Sequence, residues 1–410
     1  MIAPTSFFGH YGGHIRILEE ARGLQALGHQ VTIVTYYRGE DVPGLTIART
    51  RPLPWHTDYE VGSSRHKLAF DAYLTAKAVQ VGWRVRPHII HGHMHEGAII
   101  GGLVARLLRV PLVFDFQGSL TGEMVDHGFI RPQGSGFRFW HGIESVACRL
   151  PQAILVSSLR AAPLLEHEFG VPAGPLVPLP ECAQLEHFDP GRFSAEDKAT
   201  ARRRLGIPPD RPVVVYLGLL ADYQGTPHLI HAAARLKAAG ENVHFLIMGF
   251  PNEDQYAQLA ATLAVGDRVS FTGRVDYARH APLYLSLGEI AVSPKLSATE
   301  GSGKVLNYMA MRQPVVAFET QVHKEYLGEA GVYVPPGDID GLAAAIQDLL
   351  HRPERRRELG RALQERAAQL YSWPVAAQRI EKVYQQLIEQ GEMPVSAAPP
   401  MTKSSNLTKI

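Results

Sequence analysis

The residues best suited to chemistry crowd into one stretch, Ser297-Ala-Thr-Glu-Gly-Ser-Gly-Lys-Val-Leu-Asn-Tyr-Met-Ala-Met-Arg-Gln-Pro-Val-Val-Ala-Phe318. It reads as a glycine loop, a short helix and a buried strand in immediate succession. A loop that opens a helix against a parallel sheet turns backbone N–H groups and the positive end of the helix dipole outward. Gly301, Ser302, Gly303 and Lys304 are therefore a candidate anion site, and a phosphorylated ligand is the expected guest. A lysine in the first helical turn is unfavourable unless an anion sits beside it, which singles out Lys304. Asn307 follows one turn later on the same face, within reach of a hydroxyl attached to that phosphate.

Other candidates lie in the first half. Gly12-Gly13 would let the backbone approach a ligand closely at the start of a helix facing an inter-domain cleft. His91, His93 and His95 alternate, which on a strand puts all three on one face and raises the question of a metal. They have no matching Cys or carboxylate cluster after them, so we expect no metal, a structural role for His91 and a hydrogen-bonding, cleft-lining role for His93. In Phe114-Asp-Phe-Gln-Gly-Ser119 the Gln117 amide can hydrogen-bond but cannot transfer a proton. Asp115, Glu123 and Asp126 raise the idea of paired carboxylates, but helix caps and solvated charges are the simpler expectation.

These residues need elements to hold them, and the pattern is βα throughout. A helix from His14 to Leu27 ends at Gly28 and leads into Val31–Thr35. Strands are expected at His88–His91, Pro111–Phe116 and Ala153–Ser157, with a helix between Gly97 and Leu108. Prolines then punctuate residues 181–211 around one short helix, Ala195–Leu205, and mark a linker. The alternation restarts with strands at Val213–Leu217, Val243–Met248, Val269–Phe271 and Ile290–Ser293; Glu329–Val334 reads as a turn. The last regular piece, Trp373–Glu389, is a helix with one apolar side. Strands alternating with helices predict parallel sheets covered on both faces, here two Rossmann-like, doubly wound α/β domains.

At 410 residues two domains are also what chain length suggests. Lys and Arg total 41 against 40 acids, a net charge of +1 that points away from nucleic acid or an anionic membrane as a bulk partner. Gly97–Phe116, the longest apolar stretch, is broken by Arg106, Arg109 and Pro111 and falls short of the roughly 18 residues a spanning helix needs. The start lacks a basic region before an apolar run and there are only two cysteines, so no signal peptide and a cytoplasmic setting are expected. Met1-Ile-Ala-Pro4 leads abruptly into the glycine loop, as if the first strand were clipped and the true start lay upstream.

The stretch around Lys304 resembles the donor-binding signature of family 4 glycosyltransferases, which have the GT-B fold and use activated sugars. Gly-Gly, helix, Gly-His29 and strand resembles their N-terminal signature, and the likeness covers nearly everything up to residue 389. This chain departs from the pattern in three places: Asn307 stands where a second Glu is usual, Ser302 replaces a Phe, and Glu300 is one residue out of register. Further departures are Leu219 and Gln224, where the family carries an Arg and a Lys on the pyrophosphate, and Gln117, where it often has a histidine. Lys304, Lys295 and Arg274 are the cations that could compensate.

The resemblance implies a retaining, metal-independent transfer of a hexose from a nucleotide diphosphate sugar, UDP- or GDP-linked, with no other cofactor. His93, Gln117 and Glu300 would lie at the reacting sugar, and Gly12, Gly13, Arg274, Lys295, Gly301, Ser302, Gly303, Lys304 and Asn307 would bind the donor. It also implies that 373–390 cross back to the first domain; the proline-marked linker sets domains at 1–187 and 188–372, and 391–410, without periodicity, is expected to be a disordered tail. A glycan, lipid or small molecule would be the acceptor. No basic amphipathic helix is legible, so contact with the inner face of a membrane is expected to be weak at most. A nucleotide-sugar epimerase and a non-catalytic sugar-nucleotide scaffold are the rival readings.

Overall fold

In the computed structural model the described residues are 1–8, 12–52, 67–126, 130–131, 134–157, 161–172, 174–277, 279–296 and 302–392. The first half comprises β1 (Ile2–Ala3), α1 (Gly12–Ala26), β2 (Thr32–Thr35), β3 (Thr46–Arg49), α2 (Lys67–Val85), β4 (Ile90–His93), α3 (Met94–Leu108), β5 (Leu112–Phe116), α4 (Leu120–Asp126), α5 (Ser135–Arg149), β6 (Ala153–Val156), α6 (Ala161–Phe169) and β7 (Leu176–Pro178). After α7 (Ala195–Arg204) the second half runs β8 (Val213–Leu217), α8 (Thr226–Ala238), β9 (His244–Met248), α9 (Glu253–Thr262), β10 (Val269–Phe271), α10 (Ala281–Leu285), β11 (Ile290–Ser293), α11 (Gly303–Ala310), β12 (Val315–Phe318), α12 (Gln321–Leu327) and β13 (Val332–Val334). Three helices close the chain: α13 (Ile339–His351), α14 (Pro353–Leu370) and α15 (Trp373–Glu392).

Continuous apolar runs such as Val213-Val-Val-Tyr are buried on both faces, as a parallel strand between two helical layers must be. All strand pairs are parallel, in the orders β3-β2-β1-β4-β5-β6-β7 and β10-β9-β8-β11-β12-β13. Each order reverses direction once, between β1 and β4 in the first sheet and between β8 and β11 in the second. Loops leaving neighbouring strands at such a point diverge to opposite faces and leave a crevice at the strands' C-terminal ends. Both glycine loops singled out from the sequence leave strands at these points.

Three expectations change. Glu329–Val334 is not only a turn, since Val332–Val334 pairs with β12 as an edge strand. The strand expected at His88–His91 runs from Ile90 to His93. The three histidines do not share one strand face, because the strand stops at His93, Met94 takes a φ of 58° and His95 belongs to α3.

The C-terminal helix returns to the first domain. α15 packs on α1, where a Cβ on Gly23 would lie 2.7 Å from that of Ala377, and its Ala376, Ile380 and Val383 join Leu24, Val113 and Leu155 in one core cluster. Where the chain crosses back, Ala183 N–H donates to the Tyr371 carbonyl at 2.7 Å, so the two crossings are tied together.

Candidate functional site

In the first domain the site is built on Asp115 at the end of β5. Its carboxylate accepts from Arg16 of α1 at 2.7 and 3.0 Å, from the Gln117 amide at 2.7 Å, and it bonds His93 Nδ1 at 3.1 Å. Asp115 and His93 are fully buried. Burial alone would raise the carboxyl's pKa, but the Arg16 charge and the His93 hydrogen bond hold it well below the usual carboxylate range. The expectation of a cap or a solvated charge is therefore corrected for Asp115: α1 covers the strand end and delivers a guanidinium to it. The side chains of Glu123 and Asp126 lie outside the described residues.

His93, expected to line the cleft, is enclosed because β4 is a central strand under α1, and burial lowers its pKa. Its ring stacks on His91 at 4.5 Å, and His91 Nδ1 lies 2.6 Å from the Tyr384 hydroxyl of α15. His95 turns the other way, its Nε2 3.3 Å from Glu144. Glu20 completes a buried group whose donor atoms, with those of His91 and His93, lie within 4.8 Å of one another. These are metal-binding residue types, and Glu20's oxygens and both Nε2 atoms make no hydrogen bond. Yet Arg16 Nε stands 3.0 Å from Glu20 and already supplies positive charge. A divalent ion would face that fixed cation in a low-dielectric interior. Gln117 reaches the cleft side, its Oε1 3.5 Å from where a Cβ on Gly13 would sit, so the glycine loop and the amide meet.

The second domain brings two loops together. Gly225 holds a φ of 80° and packs on the Pro294 carbonyl where any Cβ would collide, clamping the loop after β8 to the loop after β11. Lys304, in the first turn of α11, spans the gap: its Nζ donates to Gln224 Oε1 at 2.9 Å and to the Tyr216 hydroxyl at 3.1 Å, and lies 4.4 Å from the centre of the Tyr216 ring. Ser302 and Lys295 are buried. Asn307 is buried and accepts from the Tyr277 hydroxyl at 3.0 Å. Arg274 is exposed over the Phe250 ring at 5.2 Å, next to the loop after β9. Glu300 and Gly301 lie outside the described residues, and Gly12 is seen only as the first residue of α1.

Two residues here escaped the sequence. His323 on α12 donates from Nδ1 to the Phe318 carbonyl at 2.7 Å, which leaves Nε2 as acceptor, 2.9 Å from the Ser293 hydroxyl and 3.4 Å from that of Ser302. It thus pins both ends of the glycine loop, and burial lowers its pKa to about 4. Glu181, from the linker, brings a carboxylate to the N-terminus of α11, 2.5 Å from where a Cβ on Gly303 would sit. Only proximity to Pro180 and the linker distinguished it in the sequence, which carries no signal of a fold-back.

Residues 12–182 match the glycosyl transferase 4-like domain, and residues 197–366 match the glycosyl transferases group 1 family. Among relatives, alpha-D-kanosaminyltransferase of Streptomyces kanamyceticus is 29% identical over 75% of this chain and 78% of its own. Phosphatidyl-myo-inositol mannosyltransferase of Mycolicibacterium smegmatis is 24% identical over 94% and 92%. The solved structure of sucrose-phosphate synthase from Thermosynechococcus elongatus superposes with a TM-score of 0.73 at 21% identity, over 95% of this chain and 98% of that one. Anabaena Alr3699/HepE in complex with UDP-glucose superposes with a TM-score of 0.70 at 16% identity, over 94% and 98%.

Proposed function

The chain belongs to the GT-B glycosyltransferases of the family 4 type, and from that premise we propose that it moves a hexose from a nucleotide diphosphate sugar to an acceptor, with retention and without a divalent metal. One observation carries the donor reading. Lys304 delivers its ammonium from α11 to Gln224, one of the two positions after β8 where the family pattern has a cation. The positive charge lost from that loop is thus supplied from the opposite side of the same crevice, between a helix N-terminus and two glycine turns, as a diphosphate requires. The UDP-glucose complex of the structural neighbour is of the same ligand class.

The first domain supports retention by a route that uses no protein base. Asp115 is held ionised by Arg16, and its oxygens are occupied by Arg16, Gln117 and His93; Gln117 itself cannot take a proton. The leaving phosphate would then accept the acceptor's proton on the face from which it departs. Gln117 would hold a sugar hydroxyl, oriented by its bond to Asp115, and His93 would fix Asp115 from behind.

Thermal unfolding with UDP, GDP and ADP sugars, with and without EDTA, tests this on the wild type and Lys304→Ala. Stabilisation by one nucleotide that survives EDTA and is clearly smaller in the variant is expected. No stabilisation by any of them would overturn the donor site.

A further inference from the structure

The near-neutral composition hides a one-signed face on the first domain. Helices α2, α3 and α5 lie side by side on one side of the first sheet, α2 against α3 and α3 against α5. Their inner residues, such as Phe70, Leu74, Val104 and Ala147, are buried, yet their outer residues are apolar too. Leu68 is 82% exposed on α2, Phe139 62% and Val146 55% on α5. On α3, Ile99, Leu103 and Leu107 recur every fourth residue as an outward stripe. Nine of the fourteen large apolar side chains exposed among the described residues lie on or at the ends of these three helices, so this is a patch and not scatter.

On these three helices the exposed charged residues are all basic; Glu168 of α6, 3.9 Å from His141 of α5, is an acid at their edge. Arg84, Arg86, Arg106, Arg109 and Arg138 are exposed around the apolar residues, Arg86 lying 4.7 Å over the Trp83 ring. The three helices contain three acids, each with a partner: Asp71 accepts from the Tyr36 hydroxyl at 2.7 Å, Glu96 pairs with the half-buried Lys67, and Glu144 accepts the Leu120 and Thr121 N–H groups at 3.0 and 2.9 Å.

We infer that this face docks on an anionic lipid bilayer, with the apolar side chains in the boundary between headgroups and acyl chains and the arginines on lipid phosphates. A second copy of the chain fits less well, because a two-fold contact would set the same arginines against each other. No helix among the described residues is long and apolar enough to cross a membrane, so the contact is peripheral. α3 begins where β4 ends and runs back from the strand ends that carry the site, so Leu103, Arg106, Leu107 and Arg109 lie toward the far end of the domain from it. The inference rests on the surface and is independent of the donor reading.

Co-sedimentation of the full chain with vesicles of phosphatidylcholine containing phosphatidylglycerol, against pure phosphatidylcholine, tests it. The wild type should bind the anionic vesicles, less so as salt rises. Leu103→Glu with Leu107→Glu, and separately Arg106→Glu with Arg138→Glu, should each lower partitioning by about tenfold or more. Retained thermal unfolding in both variants shows that the fold persists, and retained stabilisation by a nucleotide sugar separates this surface from the donor site. Absence of binding to anionic vesicles, or equal binding by the variants, overturns the proposal. So does a dimer in light scattering that the leucine variant dissolves, which assigns the face to a second copy.

Discussion

At the end of β5, Asp115 meets Arg16 at 2.7 Å with His93 and Gln117 closing around it; at the start of α11, Lys304 reaches over the Tyr216 ring to neutral oxygens of Tyr216 and Gln224. In the first case a buried carboxylate and a buried guanidinium answer each other, and neither can change partner without a large desolvation cost. In the second, the described hydrogen bonds from the ammonium go to a hydroxyl and an amide, weaker partners that an incoming phosphate can replace. The difference teaches that a strongly shifted, fully buried charge marks the frame here, whereas a partly buried cation at a helix start marks the place where a ligand is received.

That contrast can be broken at its stiffest point first. Asp115→Ala should cost about 3–5 kcal/mol of stability in urea unfolding, because Arg16 is left buried without its anion. A loss under about 1 kcal/mol would mean the pair is no frame at all.

His323 tests the second domain by pH. Its imidazole takes up a proton near 6.5 when unfolded but only near about 4 when folded, so the fold favours the neutral ring. The stability it contributes is complete above pH 6.5 and is lost as pH falls from 6.5 through 4, about 3 kcal/mol. Comparing wild type with His323→Gln by denaturation at each pH isolates this contribution; the variant's stability should fall less steeply in that window. Parallel curves would show that His323 is not the group responsible.

Lys304→Ala should weaken nucleotide-sugar binding about tenfold to thirtyfold, or roughly 1.4–2 kcal/mol, while changing stability less than Asp115→Ala does. Adding Gln224→Lys to that variant should recover part of the affinity, since it returns a cation to the same point from the other loop; titration calorimetry measures both. If the double variant binds no better, the ammonium's position is not what matters. Smallest of all, EDTA should leave the transfer rate unchanged, and a rate that falls with EDTA and returns with magnesium would refute a metal-independent reaction.

Much of the fold was legible because the buried strands are apolar runs and the helices between them are periodic. Val213–Leu217, Ile290–Ser293 and Val269–Phe271 fall where their composition puts them. Less legible were α2 and α5: their outer faces carry Leu68, Trp83 and Phe139 where a surface helix usually shows charge, so the amphipathic contrast that marks a helix is blurred. The edge strand Val332–Val334 reads as a turn in the sequence because three residues carry little periodicity, and only β12 beside them makes them a strand. At the site, Lys304 was legible from its place after two glycines, but the role of Asp115 was not, because its partner Arg16 lies far away in the chain.

By itself the sequence determined the alternation of strand and helix, the glycine turns and the oddity of a lysine at a helix start, since all of these follow from periodicity and backbone sterics within a few residues. Only the tertiary structure decided which charges are sealed and which are offered. Whether Asp115 is solvated or locked, whether Lys304 covers Gln224's position, and whether the outer residues of α2, α3 and α5 share one basic, apolar face depend on contacts between residues far apart in the chain. Burial raises the cost of an unpaired charge at some positions and leaves it small at others, and burial is a property of the packed fold.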